Sequence, residues 1–149
     1  MIRLSFQLIT MGHWKQCAER DLFERYQQRL SVYGKLTLRE MKSSSKEEEG
    51  KDLLKLIPPD HYVIALDESG DTISSEGFAS FLEAQSHHTS QMIFLIGGAD
   101  GLSSAVKKRA DKLLSLSSLT WPHMMVRPMI AEQLYRAMTL INKHPYHRS

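Results

Sequence analysis

Apolar residues recur with a period of two in some segments of the chain and with a period of four in others. Every second residue from Ile2 to Leu8 is apolar, which is the pattern of a strand with one buried face. Between Trp14 and Val32 apolar residues recur at every fourth position, so this segment is predicted to be a helix that stops near Gly34. The predicted buried stripe of this helix is Ala18, Leu22, Tyr26 and Leu30.

The rest of the chain continues this succession of strands and helices. Further strands are predicted at Leu36–Met41, Tyr62–Leu66, Met92–Ile96 and Leu114–Leu119. Helices are predicted behind a capping box formed by Ser45 and Glu48, around Phe78 to Leu82, behind Ser103 or Ser104, and from Met125 to Asn142. The polar segment from Asp67 to Gly70 is predicted to be a loop.

Strands that alternate with helices indicate an α/β domain. The expected architecture is a mostly parallel sheet with helices on both faces. In sheets of this kind, ligands bind beyond the carboxyl ends of the strands. The loops after Leu66, Ile96 and Leu119 are therefore the first places to look for a site.

The composition indicates one globular domain. The chain has 149 residues, of which 42% are hydrophobic and 24% charged, enough for one core and too few for two. Its one cysteine cannot form an internal disulfide, and its apolar runs are far shorter than the roughly 20 residues of a membrane span. We expect a cytoplasmic protein that does not cross a membrane.

The formal net charge of +2 is unevenly distributed along the chain. Residues 103–149 carry eight basic and two acidic side chains, a net charge of +6, so the first 102 residues carry −4. Such an asymmetry suggests an anionic partner that meets one face of the molecule. A basic helix face exposed to solvent is an equally good account of the charge alone.

The segment Gly97-Gly98-Ala99-Asp100-Gly101 directly follows the strand at Met92–Ile96. Glycine has no Cβ and tolerates positive φ, so this turn lets the backbone approach a ligand closely. It lacks the lysine of a phosphate loop and the spacing of a dinucleotide-binding fingerprint. It would suit a cofactor without phosphates, such as S-adenosylmethionine. The alternative is a tight turn that binds nothing.

A second candidate wall is the segment from Leu116 to Pro122, which combines small hydroxyl residues with Leu119 and Trp121. An adenine ring requires that mixture of polar backbone and apolar faces. A serine-rich loop that only satisfies its own backbone remains the alternative.

The segment His144-Pro145-Tyr146-His147-Arg148 gathers two imidazoles, a phenol and a guanidinium. This combination favours acid/base chemistry or contact with RNA, and a disordered tail is the alternative. A zinc site is disfavoured because no cysteine or acidic third ligand lies nearby in sequence. We expect no metal.

The last predicted helix is apolar around more than one face. Such a helix packs on its own core with one side and on a partner subunit with the other, which predicts a homodimer. Its apolar residues are Met125, Met129, Ile130, Leu134, Tyr135, Ala137, Met138, Leu140 and Ile141.

In their order and spacing these motifs resemble those of the RlmH (YbeA-like) family of SPOUT methyltransferases. The resemblance covers essentially the full chain and is strongest over Phe94–Leu102, Leu114–His123, Val126–Arg127, Glu132–Ala137 and His144–Arg148. It implies a homodimer that uses S-adenosylmethionine to methylate N3 of a pseudouridine in helix 69 of 23S rRNA, on assembled 70S ribosomes. A methyltransferase for tRNA or another RNA, and a noncatalytic ribosome-binding module, are the rival readings.

The resemblance also implies a fold and a set of site residues. The expected domain is residues 1–149, with a trefoil knot over about 66–149 that the general rules of chain topology would exclude. The implied cofactor-binding residues are Leu66, Gly97, Leu116, Ser117, Ser118, Leu119, Thr120 and Trp121.

The implied nucleotide site lies at the end of the chain. His147 is expected to assist removal of the imide proton, Arg148 to stabilise charge or hold a phosphate, and Tyr146 to order the base. His144, Arg127 and Arg136 are expected to contact the RNA.

Overall fold

The computed structural model describes residues 1–148, and in this part of the chain five strands alternate with five helices. In chain order they are β1 (Leu4–Met11), α1 (Ala18–Leu30), β2 (Gly34–Met41), α2 (Lys46–Leu56), β3 (Tyr62–Thr72), α3 (Ser75–Ser86), β4 (Gln91–Ile96), α4 (Ser104–Arg109), β5 (Lys112–Ser115) and α5 (His123–Ile141).

The strands form one parallel sheet in the order β2-β1-β4-β3-β5. The predicted α/β class is therefore confirmed. Because β4, β3 and β5 are neighbours, Ile96, Leu66 and Ser115 bring their strand ends to the same edge of the sheet. This edge is where a parallel sheet binds its ligands.

The two faces of the sheet bury different side chains, because successive residues of a strand point to opposite sides. On β1, Phe6 and Leu8 pack into a cluster with side chains from α1, α3 and α5. Ile9 and Met11 pack into a second cluster, with side chains from α2 and α4. Helices therefore cover both faces, as predicted.

The helix starts show how the sequence sets the element boundaries. The Ser45 hydroxyl accepts a hydrogen bond from the backbone N–H of Glu48 at 3.2 Å, which confirms the predicted cap of α2. The Ser103 hydroxyl does the same for Val106 at 3.3 Å and starts α4. No helix within residues 1–148 combines the length and the apolar character needed to cross a membrane.

The predicted stripe of α1 is partly wrong. Phe23 and Leu30 are buried, whereas Leu22 is 38% exposed. A strict four-residue spacing drifts by about 40° per step around a helix of 3.6 residues per turn. The stripe therefore winds away from the core, and Phe23 packs edge-on against Trp14 instead.

Two boundaries near the sheet edge also differ from the prediction. The segment Asp67–Gly70 is not a loop, because β3 continues to Thr72 with a register shift between Leu66 and Asp71. The last strand is Lys112–Ser115, and Leu116–Leu119 lies outside it. The reason is local: the Ser117 hydroxyl accepts from the Leu119 N–H at 2.9 Å and so replaces a ladder hydrogen bond.

Candidate functional site

A cleft of about 410 Å³ opens at the carboxyl ends of β3, β4 and β5, and we call it the glycine-loop cleft. Seven of the eight predicted cofactor residues line it: Leu66, Gly97, Leu116, Ser117, Leu119, Thr120 and Trp121. Ser118 is exposed and does not line the cleft. The three segments chosen from the sequence thus do meet at one place, although the first of them continues as part of β3.

The glycines of the β4–α4 turn are required by its shape. A Cβ on Gly97 would lie 2.6 Å from the backbone carbon of Gly101, which is closer than real Cβ contacts allow. Gly101 has φ of +79°, and its N–H donates to the carbonyl oxygen of Gly98 at 3.0 Å. The turn is therefore narrow, and the cleft beside it is lined by backbone.

An ion pair that the sequence analysis missed stands at the mouth of the glycine-loop cleft. Lys107 Nζ lies 3.3 Å from Asp67 Oδ1, and the Asp67 side chain is only 10% exposed. Burial alone would raise the pKa of Asp67, but hydrogen bonds from Ser69 and Lys107 outweigh it and lower that pKa. Asp67 is therefore ionised at neutral pH and joins β3 to α4.

We expect Asp67→Asn to reduce the acid sensitivity of the fold. The pKa of Asp67 is lowered below the unfolded value of about 3.9, so the carboxylate stabilises the fold above that pH and this stabilisation is lost as the pH falls through the folded pKa. Between pH 6 and 3 the wild type should therefore lose more unfolding free energy than the variant. Urea titrations at each pH measure this.

Asp71→Asn is the matched control, because its carboxylate also pairs with a lysine, Lys112, but is 73% exposed. It should leave the pH dependence almost unchanged. Identical acid profiles for Asp67→Asn and the wild type would contradict the assigned role of Asp67.

A second cleft of about 380 Å³ lies between α1, α3 and α5, and we call it the helix-lined cleft. Leu22 and Tyr26 form one wall, and Glu132 lies on the opposite side. Ser115 and Leu116 line both clefts, so the two adjoin at the end of β5.

The C-terminal segment folds back onto α5. Lys143 has φ of +60°, and the His144 N–H donates to the Thr139 carbonyl at 2.8 Å, a turn that reverses the chain at the helix end. The Tyr146 ring then packs edge-on against Tyr135, with ring centroids 4.7 Å apart. Residues 143–148 are therefore ordered along the helix, in contrast to the disordered alternative.

Glu132 ties this segment to the helix-lined cleft. The Tyr146 hydroxyl donates to Glu132 Oε1 at 3.1 Å, and Arg136 pairs with the same oxygen at 2.6 Å. Burial, followed by the nearby Tyr26 and Glu132, raises the pKa of Tyr146, so the phenol stays protonated at neutral pH. Tyr146 can act as a hydrogen-bond donor but not as a base.

His147 uses both of its ring nitrogens. Nε2 lies 2.8 Å from Glu76 Oε1 on α3, and Nδ1 lies 3.0 Å from an Arg136 nitrogen. Since arginine only donates, Nδ1 is the acceptor and Nε2 carries the hydrogen. His147 can take a proton from a substrate only after the contact between Nδ1 and Arg136 opens. Arg148 and His144 are exposed.

Arg127, which was predicted to contact RNA, lies in the protein interior. Its side chain is fully buried, forms an ion pair with Glu40 at 3.0 Å, and donates to the carbonyls of Met11 and Gly12. The guanidinium also lies over the Trp14 ring, 4.6 Å from the centroid. From this position Arg127 cannot reach a nucleotide, and it instead holds the first turns of α5 to the ends of β1 and β2.

We expect Arg127→Met to lower the free energy of unfolding by about 3 kcal/mol, because it leaves the Glu40 carboxylate without this cationic partner and two carbonyls without this donor. Chemical denaturation measures the change. Arg148→Met removes an exposed arginine and should change stability by less than about 0.5 kcal/mol. If both variants are as stable as the wild type, Arg127 does not have this role.

Several of the functional side chains gave no signal in the sequence. Glu76, Asp67 and Lys107 sit among many other charged residues, and only the fold brings Glu76 to His147 and the other two to the glycine-loop cleft. Glu132 and Arg136 are four residues apart in a helical pattern, which does predict their pairing.

The arrangement defines an α/β protein with a parallel sheet and a ligand cleft built on a glycine turn. The family model described as predicted SPOUT methyltransferase matches residues 4–147. The chain belongs to the SPOUT methyltransferase family.

Relatives and solved structures agree with this assignment. Ribosomal RNA large subunit methyltransferase H of Gluconacetobacter diazotrophicus is 44% identical, over 96% of this chain and 97% of that protein. The protein of the same name from Beijerinckia indica is 42% identical, over 98% and 100%. The crystal structure of a probable methyltransferase from Bordetella pertussis has a TM-score of 0.56 at 11% identity, over 92% of this chain and 96% of that one, and shows a similar fold.

Proposed function

We propose that the protein methylates N3 of a pseudouridine in helix 69 of 23S rRNA on assembled 70S ribosomes. Its family and its full-length relatives make it an S-adenosylmethionine-dependent rRNA methyltransferase. The target atom, the helix and the assembled ribosome come from the family resemblance. The observation that carries the proposal is the glycine-loop cleft, where three separate segments of the chain meet at one sheet edge.

The residues of the glycine-loop cleft fit the cofactor. A Cβ on Gly97 would meet the backbone of Gly101, and a Cβ on Gly98 would meet the Glu49 carboxylate, so only glycines allow this close packing. The backbone of the turn itself lines the cleft, where a ligand can lie against it. Leu116 to Trp121 add apolar faces and hydroxyl groups for the adenine ring. When bound, S-adenosylmethionine supplies an electrophilic methyl group on a sulfonium. We assign the cofactor to this cleft.

The C-terminal segment supplies the groups for the acceptor base. His147 is the proposed proton acceptor, through Nδ1 after its contact with Arg136 opens. Tyr146, whose hydroxyl donates to Glu132 and whose ring packs on Tyr135, is held as a stacking surface, and the exposed Arg148 is available for a phosphate. Arg136 orients this group through Glu132 and His147, and His144 is a further candidate for RNA contact.

A homodimer is part of the proposal. Several large apolar side chains around the two clefts remain exposed and would be covered by a second copy. They are Leu22, Ile73, Leu119, Trp121 and Met125. Sedimentation equilibrium tests the dimer, and Met125→Lys should weaken it.

The RNA substrate agrees with the charge distribution. The net +6 of residues 103–149 lies in the third of the chain that forms one wall of the glycine-loop cleft and the C-terminal segment. A ribosomal substrate also places the protein in the cytoplasm.

The test is the uptake of labelled methyl groups from S-adenosylmethionine by 70S ribosomes, free 50S subunits and tRNA, each from cells that lack the gene. We expect 70S ribosomes to be methylated and tRNA not to be. Methylation of tRNA alone would show that the substrate is tRNA and not the ribosome. Ribosome binding without cofactor binding would indicate a noncatalytic module.

A further inference from the structure

Glu49 is a buried carboxylate with no cationic partner among residues 1–148. It lies in the first turn of α2 and is 5% exposed. Its Oε2 accepts from the Ser44 N–H at 3.0 Å and from the Ser43 hydroxyl at 3.4 Å, and no Lys, Arg or His nitrogen of the described chain pairs with it. Burial of an unpaired charge is unfavourable, so such a residue is a candidate for function.

The carboxylate lies directly beneath the glycine turn. A Cβ on Gly98 would be 2.9 Å from Glu49 Oε1 and 3.0 Å from Oε2, so the carboxylate packs against this glycine. Gly98 in turn lines the glycine-loop cleft. Glu49 therefore places a negative charge directly behind Gly98 in the wall of the cleft.

The other carboxylates of the cleft cannot have the same electrostatic effect on a bound ligand. Asp67 is paired with Lys107. Glu68 and Asp100 are exposed, where water and salt screen their charge. Glu49 is the buried carboxylate at this cleft whose charge is unpaired within residues 1–148.

We propose that Glu49 makes the cleft prefer the positively charged methyl donor over its neutral product. This rests on the proposed place of the cofactor. During transfer the carbon–sulfur bonding pair stays on sulfur, the methyl forms a bond to the nitrogen of the acceptor base, and that nitrogen gives up its proton to His147, the proposed acceptor. The sulfonium thus becomes a neutral thioether. A buried negative charge attracts the sulfonium and not the thioether, so it favours donor binding and product release.

The test compares Glu49→Gln with the wild type for two ligands, S-adenosylmethionine and S-adenosylhomocysteine. Gln keeps the size of the side chain and removes its charge. We expect the ratio of the product Kd to the donor Kd to fall about five-fold, with the product Kd nearly unchanged, since one charge interaction of ~1 kcal/mol is lost. Isothermal titration calorimetry measures both constants, and circular dichroism measures Tm.

Glu48→Gln is the matched control, because Glu48 is the preceding residue of the same helical turn and is exposed. It should leave both Kd values unchanged. A structural role of Glu49 would instead weaken both ligands by the same factor, and this result, or an unchanged ratio, would overturn the proposal.

A second variant keeps the test decisive if Glu49→Gln does not fold. Ser43→Lys changes an exposed residue whose hydroxyl already contacts Glu49 and places a cation beside the carboxylate. It should lower the same ratio, and an unchanged ratio would again reject the role of Glu49. Failure of the proposed function gives different results: with another RNA substrate the wild type would still bind both ligands, and a noncatalytic module would not bind S-adenosylmethionine at all.

Discussion

Replacing Gly97 with alanine should weaken the binding of S-adenosylmethionine by about 10- to 100-fold. The added methyl group would lie 2.6 Å from the backbone carbon of Gly101, so the turn itself must open. Overpacking of this kind costs about 1–3 kcal/mol, and here the displaced backbone lines the glycine-loop cleft. Calorimetry with the purified protein gives the Kd, and methyl transfer to ribosomes should fall with it.

Ala105→Ser is the control for this change. Ala105 lies in α4, shortly after the turn, and is exposed without lining the cleft, so the variant should bind the cofactor as the wild type does. Thermal unfolding of both variants separates loss of the cleft from loss of the fold. If Gly97→Ala binds S-adenosylmethionine normally, the cofactor does not lie against the glycine turn.

Removal of residues 146–149 should abolish methyl transfer while the Kd for S-adenosylmethionine changes by less than about three-fold. The segment packs on α5 and α3 through Glu132, Tyr135 and Glu76, and none of its described residues lines the glycine-loop cleft. It carries Tyr146, His147 and Arg148, the groups proposed to hold and deprotonate the acceptor base. Single-turnover transfer to 70S ribosomes and calorimetry on the same preparation measure the two effects.

A chain that lacks only Ser149 is the matched control and should transfer methyl groups normally. Equal loss of transfer and of cofactor affinity in the longer truncation would show that the segment is structural. Full activity without residues 146–149 would exclude His147 as the proton acceptor.

The sheet and most of the glycine-loop cleft are predictable because they follow from local pattern. Alternation on β1 and the apolar run of β4 fix strands that are buried on one or both faces. The turn Gly97–Gly101 directly follows β4, so its place at the ligand-binding edge follows from the chain order alone.

The rest depends on contacts between distant segments. From the sequence, Arg127 is predicted to be a surface cation. In the fold α5 packs on β1 and β2 and buries this side chain against Glu40, which is 87 residues away. From the sequence, Glu49 is one of several acidic residues in a segment expected to be exposed. In the fold α2 packs beneath Gly98 and buries its carboxylate. The extension of β3 to Thr72 needs β5 beside it, since its own residues are turn formers. The trefoil knot over about 66–149 stays a prediction, because periodicity carries no information on threading.

The most direct measurement of the central claim is mass spectrometry of helix 69 from 23S rRNA, with and without the gene. The account predicts that a pseudouridine of this helix loses one methyl group in cells without the gene. The wild-type gene should restore it, and a gene carrying Gly97→Ala should not. The assignment would be contradicted if helix 69 carried no methyl group on a pseudouridine in either strain, or the same methyl group in both.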